Sequence, residues 1–273
     1  MTPNMQLICP VCQDTLSLDE QQKTLRCDNN HSFDRAKQGY WNLLLVQKKR
    51  SKDPGDNPEM IAARSDFLNA GYYAPVSNTL NELAKQYTGV EPNIIDLGCG
   101  EGYYTVALQN TLDQADILGL DISKHAIKTA CKRSKSITWV VGSSANIPAE
   151  AQSLDLAVIV FSRILGEPIA KTLKEDGHLI IAYPGERHLY SLREAIYDEV
   201  RETDSSPESA LGDLFERIDE RRVHFEIELN SRDALHNLFM MTPHGQRAAK
   251  QLADYQQFKT EVDIHLAVFK KSA

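Results

Sequence analysis

No apolar run in the chain approaches the eighteen or more residues that a membrane span needs. Nor does the N-terminus carry a charged head followed by an apolar core, the pattern of a secretory leader. Both absences predict a cytoplasmic protein with no membrane partner. Cysteine is scarce, five in 273 residues. In a reducing compartment thiols stay free, so clustered cysteines lean towards metal or catalysis rather than disulfides. An excess of basic charge is also missing, since the formal net charge is −8. Composition alone therefore gives no hint of a nucleic-acid partner, but the distribution does. Between Arg35 and Lys52 stand six basic residues (Arg35, Lys37, Lys48, Lys49, Arg50, Lys52) and no acid. Such a stripe can hold phosphates on an acidic protein, because screening makes charge a local matter. A solvated loop would read the same way. What remains is ordinary for a globular chain, 42% hydrophobic and 25% charged, with room for one large domain or two to three smaller ones.

Three of the five cysteines and a histidine fall close together near the N-terminus, as Cys9-x2-Cys12-x14-Cys27-x3-His31. Two short knuckles, each offering two ligands, can close a tetrahedron of three thiolates and one imidazole. That is the pattern of structural zinc, and it leaves no position for an activated water. A segment this short cannot bury enough apolar surface to fold alone, so the metal acts as a staple. A redox CxxC normally opens a helix after a strand, which Pro10-Val11 with a distant Cys/His pair fits poorly. Cys99 and Cys131 have no partners in sequence and read as buried spectators.

From Pro92 onward, strands and helices alternate. "IIDL" is a strand, "GCGEG" a glycine turn, and a helix opens at Tyr103. "ADILGLDIS", "ITWVVG" and "LDLAVIVFS" are further strands, and a fifth follows a turn at Gly177. This alternation predicts an α/β fold with a mostly parallel sheet. After Pro184 the segments "RRVHFEIEL" and "EVDIHLAVFKK" read as antiparallel closing strands. The acidic stretch from Glu194 to Glu220 reads as helix and loop between strands five and six, with a solvated surface as its plain interpretation. A glycine turn after the first strand lets backbone approach a ligand, and Asp121, ending the second strand, can take ribose hydroxyls. A dinucleotide site would want G-x-G-x-x-G, whereas Gly98-x-Gly100-x-Gly102 is followed by bulky Tyr103-Tyr104.

The "DLGCGEG" segment, Asp121 and the polar turn at Ser144-Ala145-Asn146 together resemble the class I S-adenosylmethionine-dependent methyltransferases. That resemblance implies a Rossmann-like, seven-stranded sheet. Adding the zinc knuckles, "FDRAKQGYWNLL", "KRSKDPGDNPEMIAAR", "FLNAGYY", "YPGERHL" and "MTP", the chain resembles over nearly its whole length the bacterial 23S rRNA guanine-N1 methyltransferases of RlmA type. The resemblance implies methyl transfer to N1 of a guanine in a hairpin loop of 23S rRNA, by a homodimer whose zinc heads help bind RNA. It implies cofactor contacts from Tyr73, Gly98, Gly100, Glu101, Gly102, Tyr103, Asp121, Asn146 and His188. It also implies Zn2+ on Cys9, Cys12, Cys27 and His31. The expected organisation is a zinc-binding knuckle domain (1–36), a basic linker with helices (37–90) and the methyltransferase domain (91–273). The alternative is a class I methyltransferase of another RNA, a small molecule or a protein, with the head as a partner-binding module.

No residue declares itself as the acceptor of the N1 proton; His188, Glu186 and Asp56 are candidates. Lys48, Lys49 and Arg50 are placed to hold phosphates. Tyr40 and Trp41 either stack bases or join the two domains as core aromatics, the second reading being favoured. The chain departs from the family pattern at Gln246, where tryptophan is usual, at "FSRILGEP", where Tyr-x-Pro often follows strand four, and at Ser191, where Glu is common.

Overall fold

The computed structural model describes residues 5–45, 47, 54–197, 200, 206–242 and 257–272. The head is a small antiparallel sheet of β1 (Ser17–Leu18), β2 (Thr24–Arg26) and β3 (Ser32–Asp34). The Asp19 carboxylate shapes the first hairpin by accepting from the backbone N–H groups of Lys23 (2.7 Å) and Thr24 (3.1 Å).

The main sheet has eight strands in the order β10-β11-β9-β8-β5-β6-β7-β4. Its parallel part is β5 (Asn93–Leu97), β6 (Asp116–Asp121), β7 (Thr138–Val141), β8 (Leu154–Val160) and β9 (Leu173–Pro184). β10 (Phe215–Leu229) and β11 (Phe258–Lys271) close it antiparallel. Parallel strands buried on both faces are continuous apolar runs, as in Ala157–Val160. Side chains alternate between two cores. Ile94, Leu156 and Val158 face one side, where Phe67, Leu80, Leu108 and Leu238 pack. Ile95, Leu97, Ala157 and Ile159 face the other.

The expected seven strands gain an eighth, β4 (Trp41–Asn42), which lies parallel to β7 with Trp41 opposite Val140. Trp41 is buried among Leu118, Leu120 and Val140, and Tyr40 is buried on the opposite face of the sheet. Both aromatics are therefore core, and the base-stacking reading of them is set aside. The glycine turn expected at Gly177 lies inside β9, in the stretch where pairing with β8 changes register; a Cβ there would meet the Leu154 carbonyl oxygen at 2.9 Å. β10 begins at Phe215, inside the stretch read as helix and loop. It is held there by β11 along its full length, with cross-strand ion pairs Lys270–Glu216 (3.2 Å) and Lys259–Glu226 (2.9 Å).

The helices are α1 (Pro58–Asn69), α2 (Ala74–Gln86), α3 (Tyr103–Thr111), α4 (Lys124–Arg133), α5 (Gly166–Thr172), α6 (Tyr190–Ile196), α7 (Glu208–Leu211) and α8 (Arg232–Met240). α1 starts on an Asn57 side-chain cap followed by Pro58, and α4 on a Ser123 cap. Between β7 and β8 there is only one turn of 3-10 helix, Ser144–Asn146. The head covers that part of the sheet. Leu7, Cys9, Leu16, Leu25 and Cys27 share one core with Leu118, Leu120 and Val140. Leu7 forms an antiparallel bridge with Ala149, and the Ile8 N–H donates to the Pro148 carbonyl (3.3 Å). Among the described residues no helix is long and apolar enough to cross a membrane.

Candidate functional site

The four metal-ligand candidates converge. The ligand atoms of Cys9, Cys12, Cys27 and His31 all lie within 4.8 Å of one another. Cys12 Sγ and Cys27 Sγ are 3.6 Å apart, and Cys27 Sγ is 3.4 Å from His31 Nδ1. Thiolates on a tetrahedral zinc sit about 3.8 Å apart. The first knuckle closes by Gln13 N–H to the Cys9 carbonyl (2.9 Å), the second by Asn30 N–H to the Cys27 carbonyl (3.0 Å). Gln13 and Asn30 both take positive φ, +67° and +62°, the tight backbone such knuckles need. The donor set, three thiols and one imidazole in a half-buried cluster, fits a structural zinc and offers no fifth position for water.

The second site lies at the carboxyl ends of the parallel strands, where open α/β sheets bind ligands. Gly98, Gly100 and Gly102 all have positive φ (+83°, +58°, +85°). Gly98 also allows a close approach, since a Cβ there would run into Ser162 Oγ, on the loop after β8. Asp121, at the end of β6, accepts from the Gly100 N–H (2.9 Å) on one oxygen and from the Ser123 N–H (2.7 Å) on the other. A carboxylate has about four lone-pair directions, so two remain for ribose hydroxyls. Asp56 closes in from the linker. It pairs with Arg64 (2.5 Å), and its carbonyl accepts from Ser123 Oγ (2.8 Å).

The loop is rich in buried acid. Burial pushes the Asp121 carboxyl up and nearby Asp56 adds to it, against the pull of the Ser123 and Gly100 N–H groups. Burial also raises Glu101, which pairs with Arg133 at 3.3 Å. Its carboxylate is thus buried and engaged inside the protein. Asp96 is pushed up to about 7 by burial, with Asp121 and Glu101 adding and the Thr105 hydroxyl (2.6 Å) opposing. Its Oδ1 is buried without a hydrogen-bond partner among the described residues. Buried carboxylates thus crowd beneath the glycine loop, and the unpartnered oxygen of Asp96 adds to a donor set that suits a ligand carrying positive charge, as S-adenosylmethionine does at its sulfonium and ammonium.

Tyr73, at the start of α2, and His188, in the loop after β9, come together across 115 residues of sequence. Tyr73 Oη lies 3.4 Å from His188 Nε2. The Asp263 backbone N–H donates to His188 Nδ1 (3.4 Å), so the neutral ring carries its proton on Nε2 and turns it towards the phenol. With one nitrogen accepting and the other donating, the ring has no lone pair left for a substrate proton. Glu186 is exposed, and Asp56 is engaged with Arg64. Tyr103 heads α3, beside Tyr104 at a 5.1 Å ring separation. Asn146, in the turn after β7, accepts at 3.4 Å from Gln13 Nε2 of the head. Lys48, Lys49, Arg50 and Gln246 lie outside the described residues.

Sequence reasoning missed Phe161, Ser162 and Gln13. Phe161 was visible only as a departure within "FSRILGEP", and Gln13 had no signal at all.

Two family models match the chain. The N-terminal zinc ribbon of RlmA matches residues 7–52, and a methyltransferase domain matches residues 94–176. A 23S rRNA (guanine(748)-N(1))-methyltransferase of Streptomyces fradiae is 30% identical, covering 87% of this chain and 84% of the relative. A Bacillus subtilis chain named for 23S rRNA guanine-N(1) methylation is 28% identical over 95% and 94% of the two lengths. Among solved structures, the YcgJ protein of Bacillus subtilis covers 72% of this chain at TM-score 0.50 and 17% identity. A chain of the Haloferax volcanii complex between the Trm112 activator and a methyltransferase covers 80% at TM-score 0.50 and 19% identity. These two show the class I methyltransferase fold alone. With a relative similar over most of both lengths and the zinc ribbon matched in front of the methyltransferase domain, the chain belongs to the 23S rRNA (guanine-N1)-methyltransferase family.

Proposed function

We propose that the protein transfers the methyl group of S-adenosylmethionine to N1 of a guanine in a hairpin loop of 23S rRNA. The observation that carries this reading is a combined architecture, a zinc ribbon packed directly on a methyltransferase sheet whose carboxyl end carries the glycine loop and Asp121. Gly98 to Tyr103 and Asp96 take the methionine part, Asp121 the ribose, Asn146 the adenine, and Tyr73 with His188 flank the methyl-donor end. The chain's residues orient the donor and exclude water, which supplies much of the rate by proximity.

An RNA substrate also needs a cationic surface, and α4 provides one. From Lys124 to Lys135 the chain carries Lys124, Lys128, Lys132, Arg133 and Lys135 and no acid. Lys124, Lys128 and Lys132 recur every four residues, on one face of the helix. Lys128 and Lys132 line a groove of about 340 Å³ between α1 and α4, with Asp66 on the α1 side. Lys135 reaches the Gln38 carbonyl at 3.4 Å, which brings the linker cations Arg35 and Lys37 to the same end of α4. Phosphate contacts of this kind position RNA without reading its sequence.

We infer further a cytoplasmic homodimer, with residues 1–36 as the zinc-binding domain, 37–90 as the joining segment and 91–273 as the methyltransferase domain. Deleting the gene and mapping 23S rRNA by primer extension tests the central claim. One guanine-specific stop should vanish and return on complementation. An unchanged stop pattern would sink it.

A further inference from the structure

We propose that Phe161 is the platform on which the target guanine stacks. This rests on the rRNA reading above and adds a recognition residue to it.

Phe161 is the first residue after β8, and its backbone has φ +51°. A left-handed conformation is disfavoured for a bulky aromatic, and such residues cluster where a site needs them. The position is not slack, because the Phe161 N–H donates to the Ala182 carbonyl of β9 at 3.1 Å. The ring is also 43% exposed. Backbone strain and an exposed aromatic face both oppose stability, and the same residue bears both.

The surroundings say what the ring faces. Its neighbour Ser162 lies against Gly98, so Phe161 is one residue from the loop that receives the methionine end of the cofactor. Its centroid is 6.3 Å from Tyr73 and 6.3 Å from His188, and its plane is within 11° of the imidazole. Tyr73 and His188 are themselves 6.2 Å apart. Three rings from three distant chain segments thus meet at the methyl-donor end. Tyr73 is buried, while Phe161 turns towards solvent. A purine extruded from an RNA loop needs a flat apolar surface beside the donor to be held in line. Phe161 supplies that surface at the place where the reacting nitrogen must arrive.

The test is a double-mutant cycle on binding, with S-adenosylhomocysteine present. The ligands are 23S rRNA fragments carrying either the modified guanine or an abasic nucleotide in its place. The proteins are the wild-type chain, Phe161→Gly and Phe161→Tyr. Glycine adopts positive φ without strain, so Phe161→Gly should melt at or above the wild-type temperature. Wild type should bind the guanine RNA roughly five- to a hundredfold tighter than the abasic RNA, the range of base–aromatic stacking. Phe161→Gly should bind the two alike, and Phe161→Tyr should regain the preference. If Phe161→Gly discriminates like wild type, weakens both RNAs equally, or if wild type itself does not discriminate, the platform is refuted. Should Phe161→Gly misfold, Phe161→Leu keeps apolar bulk without a π face and carries the same comparison. The guanine is the one whose primer-extension stop depends on the gene. Absence of any such stop refutes the rRNA reading, whereas a stop without coupling refutes only the role of Phe161.

Discussion

Gln13 of the zinc ribbon and Asn146 of the turn after β7 are joined side chain to side chain, Nε2 to Oδ1 at 3.4 Å. The ribbon therefore touches the turn to which the proposed function assigns the adenine. Next to this contact lie Thr15–Glu150 (3.1 Å) and the Leu7–Ala149 bridge.

Cofactor affinity should accordingly depend on zinc. Cys27→Ser should lose stoichiometric metal by elemental analysis and bind S-adenosylhomocysteine more weakly by calorimetry. Gln13→Ala, which keeps the metal, should weaken binding by roughly two- to tenfold, the worth of one neutral hydrogen bond. Full zinc in Cys27→Ser would refute the four-ligand site. Undiminished affinity in both variants would disconnect ribbon from pocket.

Asp96 makes ligand-free stability depend on pH. Its carboxyl is pushed from 3.8 up to about 7 in the folded chain. Between those values the folded protein holds a proton that the unfolded chain has released. Its stabilising contribution is full below about 4 and is lost as pH rises through about 7. Asp96→Asn keeps an acceptor for the Thr105 hydroxyl and removes the charge. The variant should melt above wild type at pH 8, and the gap should shrink towards pH 5. A gap independent of pH would mean that Asp96 does not titrate in this range.

His188 holds Tyr73 with a donated proton, and its other nitrogen accepts from Asp263. His188→Gln should lower kcat/KM and cofactor affinity while leaving the shape of the pH–rate profile as in wild type. Loss of the acidic limb would restore His188 as the proton acceptor.

The α4 face gives a salt-dependence prediction. Replacing Lys124, Lys128 and Lys132 together with Ala should reduce the slope of log K against log salt by about 2 for a single-stranded loop, at about 0.7 per phosphate contact. Affinity for S-adenosylhomocysteine should stay at the wild-type value. An RNA-binding slope equal to wild type would remove α4 from the interface.

What the sequence revealed was local or periodic. Cys9 to His31 announced itself by spacing, because a tetrahedron needs two close pairs. The glycine loop and Asp121 did so because each sits at a strand end that apolar runs such as Ala157–Val160 define. What stayed hidden depended on tertiary partners. β4 is two residues long and exists only because β7 offers it an unpaired side. β10 starts at Phe215 because β11 extends its pairing into a stretch whose charges read as loop. The left-handed backbone of Phe161 leaves no mark in "FSRILGEP", since Gly or Asn would be the expected residue there.

The two ends of the sheet bear on assembly. On one side β4 is only two residues long, and the linker and head continue from it. On the other, β10 shows solvent a row of charged side chains, Glu216, Arg221, Glu226 and Glu228 among them. Charged and very short border strands resist pairing with another chain. A second copy of this protein would thus have little opportunity to associate by continuing the sheet. In the proposed homodimer the contact surface would be made from helices, loops and ribbon faces, and disrupting it would leave each subunit's strands intact.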